Sequence, residues 1–506
     1  MSENTERTDL PEAPEKKPFL KRIPVMSLPA VIALVAMAVV FVLTFCTSMQ
    51  KLNIRDGIWN GPNVGFKNYS NFINSGALGK ALGDSLAVNG LRLLICGVLS
   101  AALCSLYRLF KKPGTVLTLA CLWLIPVCLP TAFMAQETRS LLHFFGELKA
   151  HAVFLYAMGL QTIGMFCFTG GLFAYLNLRK NGQVGKAPYM GLLTTVLVFL
   201  LGNLTTRGLY YGFGTVLVRT FDEYISRAGL EDMNFFAGNA VSVLKIGFQI
   251  LIGIIPAIFL YHTMPKEKAL GEETPKSLFW LFPAALAGIL LVLFCGCHDD
   301  KMYAYFGTVS VNSLMVSLAG GAFGGLIAWS FIHLLKRSSL LRFVIVALIL
   351  SASVSCINLI YLLIRYSITR NDLLPQVLCS AFDWRVILLV IILAFIFRSH
   401  KEIRSGFLVL SLCLLIAAFA WGEISNQVLW FNMKTPTVPM FYFDLLKAQK
   451  VRPALLLQVN LLMVVPPLLI GLGSALLMRK AFQKAEPRGG SPVPLSEPEA
   501  HSEIQA

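Results

Sequence analysis

Long apolar runs, each close to the length of a membrane span, constrain this chain more than any other feature. They fall at Leu28–Cys46, Ser85–Tyr107, Thr115–Ala135, Val153–Asn177, Pro188–Thr205, Asn239–His262, Ser277–Cys295, Thr308–Leu335, Leu341–Ile364, Asp383–Phe397, Gly406–Trp421 and Ala454–Met478. About twelve such runs each approach the roughly 20 residues a helix needs to cross about 30 Å of hydrocarbon. A helix satisfies every backbone N–H and C=O within itself, which lipid demands. The runs are continuously apolar rather than alternating with period two, and this excludes a β-barrel. Of 506 residues 56% are hydrophobic and only 14% charged, too few polar groups to coat a water-soluble globule. The expected fold is an all-α polytopic membrane protein, with membrane lipid as its solvent.

Lys and Arg number 43 against 27 Asp and Glu, a net charge of +16. The positions of those charges argue against a nucleic-acid partner, because they sit in alternate loops. Lys16, Lys17, Lys21 and Arg22 precede the first span, and Arg108, Lys111 and Lys112 follow the second. The same side carries Arg179, Lys180 and Lys186, then Lys266, Lys268 and Lys276, and Lys336, Arg337 and Arg342. Arg398, Lys401 and Arg404, then Arg479, Lys480 and Lys484, complete the series. The intervening loops mix signs, as in Arg219, Asp222, Glu223 and Arg227. The positive-inside rule therefore predicts both termini in the cytosol.

Residues 1–24 are acidic and proline-bearing before their basic pairs, unlike a signal peptide, and form an expected cytosolic tail. Residues 25–264 supply a first six-helix half, 265–276 a basic cytosolic linker, and 277–482 a second six-helix half. Residues 483–506 are too rich in Pro, Gly and charge to bury anything, and predict a disordered cytosolic tail. Because six is even, both halves enter the membrane the same way, which predicts a parallel repeat. SLAVNGLRLL around Asn89 and VSVNSLMVSL around Asn312 support that duplication, each preceding a basic turn. Long loops at 206–238 and 422–453 recur before the last span of each half.

Ionisable groups within spans cost about 2.5 kcal/mol or more, so they are candidate sites by default. Asn239, Ser242, Lys245 and Gln249 recur at helical spacing along the sixth span. Two readings stand for that stripe: a pathway wall that hydrogen-bonds hydroxylated or anionic solutes, or polar glue between helices with a snorkelling lysine. Asn89 and Arg92 share a face of the second span. They point either to a ligand or to a salt bridge with Asp84 or a neighbouring span. Gln161, Asn312 and Glu423 complete the candidate pathway residues. Asp383 and Arg385 open the tenth span, as interfacial residues would. Cys295, Cys297, His298, Asp299 and Asp300 leave a metal, a disulfide or an ordinary span end open, though the spacing matches no strong zinc pattern. No metal or other cofactor is expected, and no catalytic motif marks an enzyme.

Val64 to Arg108, VGFKNYSNFINSGALGKALGDSLAVNGLRLLICGVLSAALCSLYR, resembles the outer loop and second span of the membrane subunits of bacterial maltose-type ABC sugar importers. Gly65, Asn68, Tyr69 and Asn89 carry the likeness. Thr215 to Gly253 is similar to the late loop and last span of those subunits. Phe419 to Trp430 and Thr437 to Phe443 are similar to segments of the companion subunit. The resemblance implies two permease subunits fused in one chain in a bacterial inner membrane. It further implies a carbohydrate-like small-molecule solute, a solute-binding protein at the outer face and ATPase subunits in the cytosol. The family's cytosolic coupling helix is absent: the corresponding loops, Leu178–Ala187 and Arg398–Ser405, carry only the basic residues Arg179, Lys180, Lys186, Arg398, Lys401 and Arg404. No phosphate-binding G-x-x-x-x-G-K-[ST] loop occurs, so any ATP hydrolysis falls to a partner. An ATPase-independent transporter or solute sensor of the same fold is one alternative. A major-facilitator-type carrier is another, although YRLFKKPG at Tyr107–Gly114 replaces that family's usual second-to-third loop.

Overall fold

The structure, a computed structural model, describes residues 27–51, 61–130, 133–134, 150–202, 219–226, 228, 234–263, 300–336, 338–367, 373–380, 383–399, 405–422, 436–447 and 453–483. Among these residues the chain is helical, with no strand beyond one isolated bridge between Gln50 and Asn63. We number the helices α1 (Leu28–Ser48), α2 (Lys67–Asn74), α3 (Ala77–Ser105), α4 (Pro113–Leu122), α5 (Leu124–Val127), α6 (Ala150–Asn181), α7 (Ala187–Leu201) and α8 (Phe221–Ser226). Then follow α9 (Phe235–His262), α10 (Asp300–Lys336), α11 (Leu340–Ser367), α12 (Leu373–Cys379), α13 (Trp384–Ser399), α14 (Ser405–Gly422), α15 (Val438–Lys447) and α16 (Pro453–Phe482).

Seven helical segments among the described residues are long and apolar enough to cross a membrane: Leu28–Ser48, Ala77–Leu109, Met158–Asn181, Phe235–His262, Gly307–Lys336, Ser405–Gly422 and Gln458–Phe482. Helix occupies the other expected spans too, apart from Ser277–Cys295, which lies outside the described residues. Several of those helices are short. The run beginning at Thr115 breaks at Trp123 into α4 and α5, and α7 stops at Leu201 after 15 residues, α13 after 16. At 1.5 Å per residue, lengths of 15 to 16 cover only about 22–24 Å. The family of long apolar helices fits a multi-pass membrane protein.

The distribution of polarity is that of a protein in lipid. The buried face of α3 reads Ala81, Ser85, Val88, Asn89, Arg92, Cys96, Ser100 and Cys104, a stripe of mostly small and polar side chains at helical spacing. Its other face exposes Leu86, Leu91, Leu94, Ile95 and Val98, with Leu94 64% exposed. Exposed Ile32, Val35, Val39 and Val42 on α1, and Leu251 and Ile255 on α9, extend the same apolar surface. Water would reward the reverse arrangement; hydrocarbon rewards this one. Small residues also set helix spacing: a Cβ on Gly321 of α10 would fall on the Cys413 carbonyl oxygen of α14.

Helices from either side of the 265–276 segment share one core. α1 packs on α9 but also on α10 and α11, and α16 packs on α4 and α5. At the centre α13 is buried from Val386 to Phe397, against α7, α10 and α11. Such a helix, apolar on all sides, has neither lipid nor water as its principal neighbour.

A related arrangement occurs twice. Before residue 265, Arg219 and Thr220 lie in irregular backbone just before α8, and the Phe221 N–H donates to Ser85 Oγ of α3 at 3.1 Å. After residue 276, Pro436 and Thr437 lie in irregular backbone just before α15, and the Val438 N–H donates to Ser313 Oγ of α10 at 2.7 Å. Thr220 and Thr437 are both buried. Each short helix then packs on the long helix that follows it, α8 on α9 and α15 on α16.

Candidate functional site

Near its midpoint α3 carries Arg92, 1% exposed, with exposed Leu91 and Leu94 beside it in sequence on the apolar outer face. A guanidinium remains charged in any protein setting, and at the depth of an apolar belt it must be held by something other than water. Its Nε donates to Thr162 Oγ1 of α6 at 2.5 Å, and Nη1 approaches Met158 Sδ at 3.4 Å. The Thr162 hydroxyl is itself positioned by donation to the Met158 carbonyl at 2.8 Å. The guanidinium carbon lies over two rings, Phe199 of α7 at 4.6 Å and Trp384 of α13 at 4.5 Å from the centroid. Faces of aromatic rings are negative, so these contacts offset part of the lost hydration. Nη2 is buried and has no hydrogen-bond partner, and among the described residues no carboxylate pairs with Arg92.

A cavity of about 30 Å³ is lined by Arg92, Phe199, Gly202, Ser351, Trp384 and Leu388 among others. α3 and α7 supply one wall, and α11 and α13 the other, so both sides of the 265–276 segment contribute. Ser351 directs its hydroxyl to the Ala347 carbonyl at 2.9 Å.

Two other buried cations are neutralised. Lys245 of α9, fully buried, lies 2.6 Å from Asp222 Oδ1 of α8. Arg385 holds Asp383 through Nε at 2.9 Å and Nη2 at 2.6 Å, donates Nη1 to the Val127 carbonyl at 3.3 Å, and lies over the Phe419 ring at 4.1 Å. Asp383 also accepts the Arg385 backbone N–H at 2.8 Å, capping the first turn of α13. Arg385 is thus buried within the bundle, where the sequence suggested an interfacial residue.

The other sequence candidates are dispersed. Asn89 lies one turn before Arg92 on the buried face and donates to the Ser85 carbonyl at 2.9 Å, while its Oδ1 is buried without a partner. Asp84 does not meet Arg92; it accepts the Arg219 N–H at 2.6 Å. Gln161 donates to the Leu129 carbonyl. The sixth-span stripe is buried throughout: Asn239 donates to Thr47 Oγ1 of α1 at 2.9 Å, Ser242 to the Gly238 carbonyl at 3.1 Å, and Gln249 lies one turn beyond Lys245. Asn312 donates to the Pro436 carbonyl at 2.9 Å, beside the Ser313 contact. Glu423, Lys401 and Arg404 lie outside the described residues, as do residues 1–24 and the Cys295–Asp299 cluster.

Among the basic turns, Leu178–Ala187 is compact. Gly182 and Gly185 take positive φ, 67° and 53°, and Asn177 donates to the Gln183 and Val184 carbonyls at 2.9 and 3.2 Å. Arg108 donates to the Gly185 carbonyl at 3.2 Å and covers Tyr189. Arg179 contacts the Tyr175 hydroxyl at 3.0 Å, Lys180 lies in the last turn of α6, and Lys186 is the residue before α7. Tyr175 donates to the Phe482 carbonyl at 3.0 Å, tying the end of α6 to that of α16. Arg398 donates to the Tyr261 hydroxyl at 3.3 Å. At the opposite end Asn68 donates to the Ser48 and Gln50 carbonyls at 2.8 and 2.9 Å, and Tyr69 shares a hydrogen bond with Ser48. Burial pushes the Tyr69 phenol above its ordinary range, with the Ser48 hydrogen bond opposing it.

Sequence reading missed Thr162, Phe199, Gly202, Ser351 and Trp384. A signal existed for two of them: Thr162 adjoins Gln161, and Trp384 sits between Asp383 and Arg385. Together these observations fit a helical multi-pass membrane protein in which a buried cation, without a carboxylate partner among the described residues, lines a small cavity. No protein-family model, no curated protein and no solved structure matches the chain.

Proposed function

We propose that this chain is a transmembrane solute permease of a bacterial cytoplasmic membrane, moving its solute between two six-helix halves with both termini in the cytosol. The Arg92 cavity carries the reading, because its walls come from both sides of the 265–276 segment and its cation has no carboxylate partner among the described residues. Intramembrane charges of that kind mark solute and ion pathways more often than they mark packing. The paired Ser85–Phe221 and Ser313–Val438 contacts support two related halves. They also fall within or beside the segments that resemble sugar-importer permeases.

A second reading, transport or solute sensing without an ATPase, draws on the Leu178–Ala187 turn. It is closed on itself by Asn177 and Arg108 and has no room for a two-helix coupling protrusion. One preparation tests both readings. Tagged full-length protein is captured from its native host in mild detergent, co-purifying proteins are identified by mass spectrometry, and the protein is reconstituted in liposomes for flux of labelled sugars and organic acids. An ATPase and a solute-binding protein among the partners, with ATP-dependent flux, favour the importer. Flux without an ATPase favours the second reading, and absence of flux for every solute under both conditions overturns the permease.

A further inference from the structure

We infer that the Arg92 cavity receives the carboxylate group of a small organic monoanion, an assignment that rests on the permease reading and narrows its solute class. Geometry restricts how the guanidinium can bind. The Phe199 and Trp384 rings lie against the guanidinium, Nε and one N–H of Nη1 are engaged by α6, and Nη2, which has no partner, is the group left for a ligand. A planar edge with an unspent N–H suits a carboxylate oxygen, whose charge-assisted hydrogen bond is about twice as strong as a neutral one.

Charge and size narrow the choice further. One cation without a described carboxylate partner balances a single negative charge; a doubly charged phosphate would leave excess charge in an apolar setting. The remaining walls, Val198, Phe199, Ile387 and Leu388, are apolar and suit the carbon stem of an organic acid better than a hydrated halide. About 30 Å³ holds roughly two water molecules or a carboxylate group, not a whole sugar ring. A neutral sugar would leave the Arg92 charge uncompensated, which is the physical objection to it here.

Trp384 supplies a readout independent of transport, since it stacks on the cation that would bind the ligand. Full-length protein in nanodiscs is titrated with acetate, with its neutral isostere acetamide and with chloride at constant ionic strength. The Trp384 contribution is the fluorescence of the native chain minus that of Trp384→Phe. Acetate should give a saturable change that acetamide and chloride do not. Arg92→Gln should weaken it by about tenfold or more, the worth of a hydrogen bond to a charged group.

Gly202→Val provides a second variant that leaves Arg92 intact. A Cβ at Gly202 would meet nothing within 4 Å, so the substitution should not unfold the chain, and at a position that lines the cavity it should diminish the acetate response. An equal response to acetamide or chloride, no response to acetate, or an undiminished response in both variants overturns the assignment. Flux of neutral solutes together with a silent Trp384 sinks the carboxylate and keeps the permease. An acetate response without flux of any solute keeps the site and sinks the permease.

Discussion

Lys245 and Arg92 are both buried cations on long apolar helices that precede the 265–276 segment, yet they are held in opposite ways. Lys245 lies 2.6 Å from Asp222, and that pair fastens α8 to α9 at the end of the bundle where α1 and α2 also meet. Arg92, in the middle of α3, has two aromatic rings against it and a threonine at its Nε but no described carboxylate. Desolvating an ion costs several kcal/mol, and a bonded counter-ion offsets most of that. The first cation is fixed in place by its counter-ion, whereas the second has none among the described residues. Arg385 belongs with Lys245, since Asp383 neutralises it from two residues away.

Breaking the paired cations should therefore give the largest losses of stability. Asp222→Ala strands Lys245 inside the bundle, and unfolding in mixed micelles should show a loss of about 3–5 kcal/mol. Replacing both partners, Asp222→Leu with Lys245→Met, should recover most of it, because no buried charge then remains. A loss below about 1 kcal/mol for the single variant would mean that the pair is open to water, and the contrast with Arg92 would collapse. Asp383→Ala should cost less, about 2 kcal/mol. It removes a helix cap and a counter-ion but leaves Arg385 its Val127 carbonyl and Phe419 ring.

The two serine contacts sharpen the comparison at the level of the halves. Ser85→Ala and Ser313→Ala each leave a backbone N–H, of Phe221 and Val438, without its partner, at a cost of about 1–2 kcal/mol. Similar losses in the same unfolding assay would fit equivalent latches. A loss confined to Ser85→Ala would leave the second half without the counterpart that a duplicated permease requires.

The membrane class was legible because it depends on composition and length, which lipid reads directly. The α3 stripe was half legible: Asn89 and Arg92 declared a face by their spacing, and that face is the buried one. Their partners were not. Asp84 is the nearest acid in sequence, but it is spent on the Arg219 backbone, and the groups that do hold Arg92 come from α6, α7 and α13. Phe199 and Trp384 are 185 residues apart, and nothing local in an apolar run tells a lipid-facing ring from one that covers a cation. For the same reason the Lys245 stripe admitted two readings, and only the fold of Asp222 back onto α9 supplied a partner for its charge.

Arg92→Leu should have the smallest effect on the fold. It surrenders a hydrogen bond to Thr162 and two cation–π contacts of about 0.5–2 kcal/mol each, but it also removes a desolvated charge with no described carboxylate partner. The Thr162 hydroxyl keeps its own acceptor, the Met158 carbonyl, so no donor is stranded. These contributions oppose one another, and the unfolding free energy should change by less than about 1 kcal/mol in either direction, measured beside Asp222→Ala. A loss as large as that of Asp222→Ala would show that Arg92 is a structural cation with a counter-charge, and the site would then be packing. Near-neutral stability with lost solute response is the outcome that separates a charge kept for a ligand from a charge kept for the fold.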